Sequence, residues 1–419
     1  MPPPLKNHTL CVRRGGVTVL SDAVIVQREL DVDKLVDNEA ILRVDKFGFS
    51  ANNLTYGLLG EHPNFRHPSL CAGQRLSGYL PMSSYCKLRL DPPRVRPGDR
   101  SGIEYTVNVA LDGMPEIMRP YRQLTFCETD FMWSPKREDE MMLWLITRLH
   151  TDLPLFWASY WMEDRLHERA YHSARTVLIS SASAKTAFLI AYRLQKRRKA
   201  TTILSTSNDP QNIQAPPTGL SPVNVVGLTS RANLAFTKRL GFYDHVLAYD
   251  EVANISEKVS AGNAPNLVGE CVYVDVSGNE ALNANITKYL KPKLSISLGS
   301  TSGSSSSSML AGADGGDSKH QDTNAKQESF FMPEWLALRA KQLGAKQVKA
   351  MQKAAWAELM EDCPGWVTIK TYDGLEEVME AYQRTVKGGI RADEGQMFSL
   401  SSVVQGGDDN KKKTSVAKL

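Results

Sequence analysis

The sequence has no C-x-x-C pair, no apolar run approaching the length of a membrane span and no large excess of either charge. Its six cysteines, Cys11, Cys71, Cys86, Cys127, Cys271 and Cys363, stand singly. Their spacing argues against a disulfide framework and a structural zinc site, and fits a reducing compartment. A formal net charge of +4 over 419 residues, with Lys and Arg scattered rather than gathered on one element, gives no reason to expect a nucleic-acid partner. No membrane partner is expected either. No apolar stretch follows the opening MPPPLK, so a secretory leader is not expected. The composition is that of a globular chain, with 42% hydrophobic and 23% charged residues, and the length accommodates two or three domains.

Three kinds of patterning follow one another. Residues 17–20 (VTVL), 23–26 (AVIV) and 40–47 (AILRVDKF) are β-branched and apolar and read as short strands. Residues 48–54 read as a turn into a short helix, and residues 55–130, with many Pro and Gly, as loops with brief strands, one of them within 78–88. From Glu138 the apolar spacing becomes helical, broken at Pro154 and resuming to about Ala170. Beyond that, strand and helix alternate. Strands are expected at 176–180, 223–228, 245–249, 269–276 and 293–298, and helices at 184–195, 231–240 and 279–290. Apolar strands alternating with helices predict a parallel sheet covered on both faces. Residues 201–222 read as a polar loop. Residues 299–328, Ser-rich at 301–308, read as disordered. A long helix is expected from about Phe330 to Met360, then a strand at 367–370 and a helix at 375–385.

The first strand-turn-helix carries the chemical signal. A dinucleotide pyrophosphate rests on a helix N-terminus, where unpaired N–H groups and the helix dipole favour negative charge. The turn must be built from small residues, usually as G-x-G-x-x-G. Here it contains no glycine: Ser180, Ser181, Ala182, Ser183 and Ala184 occupy it, followed by Lys185 and Thr186. Serine hydroxyls can donate to phosphate, but Ser and Ala do not tolerate positive φ as glycine does. A tight turn that binds nothing remains the alternative. The missing glycines also exclude a P-loop. At the end of the next strand stand Thr229, Ser230 and Arg231, with no acid in the 228–233 segment. Hydroxyls and an arginine suit the 2′-phosphate of NADP better than the ribose of NAD. The alternative is that Ser230 caps the following helix and Arg231 is solvated.

Residues 227–250 (GLTSRANLAFTKRLGFYDHVLAYD) resemble the NADP-binding segment of medium-chain dehydrogenase/reductases in their zinc-free, quinone-oxidoreductase-like branch. Residues 37–56 (DNEAILRVDKFGFSANNLTY) resemble the start of that superfamily's GroES-like barrel, and residues 73–85 (GQRLSGYLPMSSY) a divergent branch of unknown function. The resemblance spans most of residues 15–400. It implies an α/β chain: an N-terminal GroES-like barrel over 1–135, a Rossmann-type doubly wound NADP-binding domain over 136–300, a Ser-rich insertion over 301–328, a C-terminal part over 329–403 completing both domains, and a basic tail over 404–419. It implies NADP as cofactor and reduction of an activated carbonyl, enone or quinone-like small molecule. Tyr249 falls on a tyrosine that recurs after the third strand and is counted with Ser180, Ser181, Ser183, Lys185, Thr186, Thr229, Ser230 and Arg231 as cofactor-binding.

Asn52 (or Asn53) and Tyr56 match positions that contact nicotinamide or substrate, and Tyr79 and Tyr85 are candidate proton donors. Local capping by the asparagines and packing by Tyr79 are the plainer alternatives. Zinc-dependent relatives place a cysteine where Ser50 stands, so no catalytic zinc is expected. Residues 64–68 (NFRHP) run almost directly into the 73–85 segment, where relatives carry a glycine-rich strand pair, so the barrel is expected to be truncated. That departure keeps open a non-catalytic binding module, or an enzyme of non-redox chemistry in a biosynthetic pathway. Relatives dimerise through the edge of the Rossmann sheet, which is expected near residues 269–298. Ala417-Lys418-Leu419 is a variant of the S-K-L address, so a peroxisomal import receptor is an expected partner and the location is cytoplasmic or peroxisomal.

Overall fold

A computed structural model describes residues 5–11, 22–35, 39–49, 76–77, 82–89, 106–108, 123–127, 130–144, 155–206, 224–260, 267–298 and 327–400. The elements in chain order are β1 (Leu5–Cys11), β2 (Val24–Leu30), β3 (Glu39–Arg43), β4 (Phe47–Phe49), β5 (Leu76–Ser77), β6 (Tyr85–Arg89), β7 (Thr106–Asn108), β8 (Gln123–Phe126) and α1 (Glu138–Trp144). There follow α2 (Leu155–Glu168), β9 (Thr176–Ile179), α3 (Lys185–Thr206), β10 (Asn224–Thr229), α4 (Leu234–Arg239), β11 (His245–Ala248), α5 (Ile255–Ser260), β12 (Cys271–Asp275), α6 (Glu280–Leu290), β13 (Leu294–Ser297) and β14 (Gln327–Ser329). The chain ends with α7 (Met332–Leu343), α8 (Ala345–Asp362), β15 (Thr368–Asp373), α9 (Leu375–Gly388) and β16 (Glu394–Ser399). It divides into two compact units, one of Met1–Pro154 with Lys349–Leu419 and one of Leu155–Val348. Helix α1, expected with the second domain, therefore belongs to the first unit. Among the described residues, no helix is long and apolar enough to cross a membrane.

In the first unit β1 pairs with β2, β3 with β6, and β8 with β5 and β7, all antiparallel. Residues 82–84 tie β1 to the β3–β6 pair: Leu10 N–H donates to the Met82 carbonyl at 2.8 Å, Ser84 N–H to His8 at 2.8 Å, and Val44 N–H to Ser84 at 2.9 Å. The C-terminal β16 lies between β15, parallel, and β4, antiparallel. Residues 48 and 49, expected to begin a turn, thus continue a strand. Phe49 stacks on Phe398 with ring centroids 4.8 Å apart. Both join Leu10, Ala23, Val378, Ala381 and Tyr382 in one buried cluster under α9. The expected strand at 17–20 and the apparent gap near Arg66 lie outside the described residues.

The second unit is built on one six-stranded sheet, ordered β11-β10-β9-β12-β13-β14 and parallel throughout. Every residue of β9, β10 and β12 is buried, as a parallel sheet covered on both faces requires. The expected edge near residues 269–298 is a correction: β12 and β13 are interior, and β14 closes that side. β14 escapes sequence reading because Gln-Glu-Ser carries no apolar signal. Helix α3 outruns its expected end at Gln195 because the charged stretch that follows is made of good helix formers. The long helix expected from 330 to 360 breaks at Gly344, whose φ of +83° divides α7 from α8.

Helix α2 buries charge. Glu163, Asp164 and Arg165 are all buried, which each requires a partner. Arg197 of α3 donates to Glu163 through Nε at 2.5 Å and Nη2 at 2.8 Å, and the Tyr171 hydroxyl donates to it at 3.1 Å. Arg339 of α7 meets Asp164 at 2.9 Å. Residues 170–173, between α2 and β9, all take positive φ, at 49°, 48°, 53° and 57°. None is glycine, and each costs about 1–2 kcal/mol there. The turn is fastened by the Tyr171–Glu163 bond and by Lys293, whose Nζ donates to the Ser173 carbonyl at 2.9 Å.

Burial alone would raise the Glu163 carboxyl, but the Arg197 charge and its hydrogen bonds hold it below the ordinary carboxylate range. Its stabilising contribution is then complete above the unfolded value near 4.3 and is lost as pH falls through the lower folded value. Glu163→Gln, which leaves Arg197 short of a counter-charge, should lower unfolding free energy by about 3 kcal/mol at pH 7. Denaturant melts should show this deficit shrinking below about pH 4. A deficit that stays constant with pH would refute the assignment.

Candidate functional site

From β9 the chain moves outward through β10 to β11, then returns across β9 to start β12 on its other side. Numbered along the chain, the sheet has the order 3-2-1-4-5-6 of dinucleotide-binding folds, with its switch point between β9 and β12. Ligands of such sheets bind outside the C-terminal strand ends at that point. The ends that meet there are Ser180 after β9, Asp275 closing β12, and the turn into α3.

Ser181 solves the missing-glycine problem by taking φ +50° itself. Ala182 is then clamped from three directions. Its N–H donates to the Leu228 carbonyl at 2.8 Å. Its carbonyl accepts from the Tyr243 hydroxyl at 2.9 Å. Its methyl lies against Gly227 of β10, where a Cβ would come within 2.8 Å of both Ala182 Cβ and Tyr243. The close approach that glycines in the turn usually allow is here allowed by a glycine on the neighbouring strand.

The serines divide by availability. Ser180, fully buried, donates its hydroxyl to Asp275 Oδ1 at 3.0 Å and accepts from the N–H groups of Val276 and Ser277. It is a structural clasp across the switch point. Asp275 Oδ1 also accepts from the backbone and hydroxyl of Ser277 and from Gly278, and Oδ2 accepts from Asn283 at 2.7 Å. That carboxylate fixes the loop after β12. Ser183 accepts from the Thr229 hydroxyl and from Asn233 Nδ2, both at 3.1 Å. With both lone pairs engaged, its own proton is left for an acceptor outside the turn. Lys185 and Thr186 are half-buried in the first turn of α3, whose N–H groups find no partner within the helix. Tyr249 Oη lies 3.4 Å from Ser181 Oγ.

At the end of β10, Thr229 is fully buried and committed to Ser183. Ser230 begins a single helical turn but makes no side-chain cap, so its hydroxyl is not spent in the way the capping alternative supposes. The 228–233 segment itself holds no acid, as read from the sequence, but one arrives from elsewhere in the chain. Asp250, two residues past β11, accepts from Arg231 Nε at 2.9 Å and Nη2 at 2.6 Å. Folding brings this acid to the arginine from another strand.

The turn, α3, Ser183, Ser230 and Arg231 lie on the strand ends where a dinucleotide would rest, and their donors fit its phosphates. Asn52, Asn53, Tyr56 and Tyr79 lie outside the described residues, as does Ala417-Lys418-Leu419; Tyr85 opens β6, half-buried. Among the described residues, no group of three or more His, Cys, Asp or Glu could hold a metal ion. Sequence reasoning passed over Gly227, Tyr243, Asp250 and Asp275. A lone glycine inside an apolar strand was a usable signal, since it often marks close backbone approach.

A family described as a protein of unknown function (DUF2855) matches residues 64–391, and the chain belongs to that family. No curated protein matches it. Among solved structures it is similar to the CurK enoyl reductase, at 13% identity and TM-score 0.48 over 94% of this chain and 99% of that one. It is also similar to the yhdH oxidoreductase from Salmonella enterica in complex with NADP, at 11% identity and TM-score 0.45 over 94% of this chain and 100% of that one. The fold assignment rests on the strand order itself.

Two substitutions test the turn by denaturant unfolding. Ser181→Gly should stabilise by about 1 kcal/mol by relieving positive φ. Gly227→Ala should destabilise by about 1–3 kcal/mol, because the added methyl meets Ala182 and the buried Tyr243 ring. Opposite signs would show that the turn is built otherwise.

Proposed function

We propose that this chain is a zinc-independent, NADPH-dependent reductase of an activated carbonyl, enone or quinone-like small molecule. The observation that carries the cofactor half is the 3-2-1-4-5-6 sheet with Ser230 and Arg231 at the C-terminal end of its second strand. The first turn of α3 and the remaining proton of Ser183 receive the pyrophosphate charge. Ser230 and the Arg231 guanidinium receive the 2′-phosphate. When bound, NADPH supplies a hydride. Asn52 and Tyr56 are assigned contacts to substrate or nicotinamide. Tyr79 is assigned the proton donor through its phenolic Oη; this part rests on the resemblance of residues 37–56 and 73–85 alone.

A second reading, a binding module without turnover, is favoured by two facts: Ser180 is withdrawn into its bond with Asp275, and Arg231 already holds a carboxylate. Binding and turnover separate the two. NADPH at 100-fold its Kd should stabilise the fold by about 2.7 kcal/mol, a shift easily read in a thermal melt. NADH should shift it less, and Arg231→Ala should erase the difference. No shift with either nucleotide would refute the cofactor assignment. In a screen of enones and quinones, Tyr79→Phe should lower kcat about 100-fold while leaving the NADPH Kd unchanged. NADPH binding without turnover of any substrate would favour the module.

A further inference from the structure

We propose that Asp250 is a specificity-determining residue, which sets the preference between a phosphorylated and an unphosphorylated adenine ribose by holding Arg231. The inference rests on the cofactor reading above. Both bonds from Arg231 end on the same oxygen, Asp250 Oδ2. The two side chains are 67% and 60% exposed, so the pair opens at small cost. The neighbouring acid, Glu251, is occupied elsewhere: Oε2 accepts the Ala248 N–H at 2.7 Å and Oε1 takes Lys258. Of the two acids that follow Tyr249, Asp250 is the one that bonds Arg231. Tyr249 in turn reaches Ser181 in the phosphate turn, so residues 249–250 join the two ends of the site.

Asp250 takes the Nε and Nη2 edge of the guanidinium, so a 2′-phosphate either displaces it or takes the Nη1 edge. In both cases it lies beside the negative charge of Asp250. A 2′-hydroxyl meets no such repulsion and can donate to the carboxylate. Asp250 therefore lowers the preference that Arg231 alone would confer, and the chain discriminates less between the two ribose forms than a free arginine would allow.

Calorimetric titration of the full chain with adenosine 2′,5′-bisphosphate and with ADP tests this without any turnover. Asp250→Asn should tighten the bisphosphate about five- to twenty-fold at low salt, from one removed charge near a dianion. ADP should stay within about two-fold or weaken slightly. The gain should fade at about 0.5 M salt, because the pair is exposed. Arg231→Ala should weaken the bisphosphate alone. An unchanged or weaker bisphosphate affinity in Asp250→Asn, or an equal gain for both probes, would overturn the role of Asp250. A wild-type chain that binds neither probe would overturn the cofactor reading itself, and the assignment of Asp250 with it.

Discussion

Ser181 has to enter the left-handed region for the chain leaving β9 to reverse into α3, and most of the site depends on how that turn is held. A serine at φ +50° is disfavoured by about 1–2 kcal/mol. It persists because Ala182 is bound on both of its backbone groups and packed on Gly227. The same clamp sets the height of α3 over the strand ends. It also aligns Ser183 with Thr229 and Asn233, and so ties the turn after β9 to the end of β10. The Ser180–Asp275 bond closes the other side of the turn against β12. Glycine-rich turns reach a comparable end through freedom of the backbone; here it is reached through the Leu228 carbonyl and the bare Gly227 of β10 and the Tyr243 hydroxyl.

The alternation of strands and helices was legible because its carriers are apolar and periodic: 176–180, 245–249, 269–276 and 293–298 each contain the strand found there, and 223–228 falls one residue short of the end of β10 at Thr229. Strands of polar sequence were not legible. β16 reads Glu-Gly-Gln-Met-Phe-Ser, yet all six residues are buried. It is kept inside by partners remote in sequence, Lys370 for Glu394 and Thr385 for Gln396. In the site, the residue types at the strand ends could be read, but their availability could not. Ser180 and Ser183 look alike in sequence; one is locked inward by an acid 95 positions away, and the other keeps its proton because two donors come from residues 229 and 233. Arg231 reads as a lone cation until β11 brings Asp250 beside it.

The buried charges of α2 obey the same logic. Glu163 and Asp164 are adjacent, yet burial and partners move them in opposite directions. Arg197 holds Glu163 low, while burial pushes Asp164 up despite its bonds to Trp335 and Arg339. A helix carrying both can pack only where α3 and α7 each present an arginine, which specifies one arrangement of three helices around the left-handed turn at 170–173. Two acids that would destabilise an arbitrary packing thereby select a single one.

The Arg231–Asp250 pair shows how an exposed interaction too weak to matter for folding can matter for binding. Held in water, it contributes little to stability. A charge-assisted hydrogen bond to phosphate is worth about 1.5–3 kcal/mol. On the proposed cofactor reading a phosphate would win the arginine, so the carboxylate would not close the site. It lowers the net gain by an amount comparable to the pair itself plus the repulsion it leaves behind. On that reading the difference narrows the preference for a phosphorylated ribose without reversing it. A buried acid here would rule out the proposed phosphate binding, and a neutral residue would leave Arg231 unopposed.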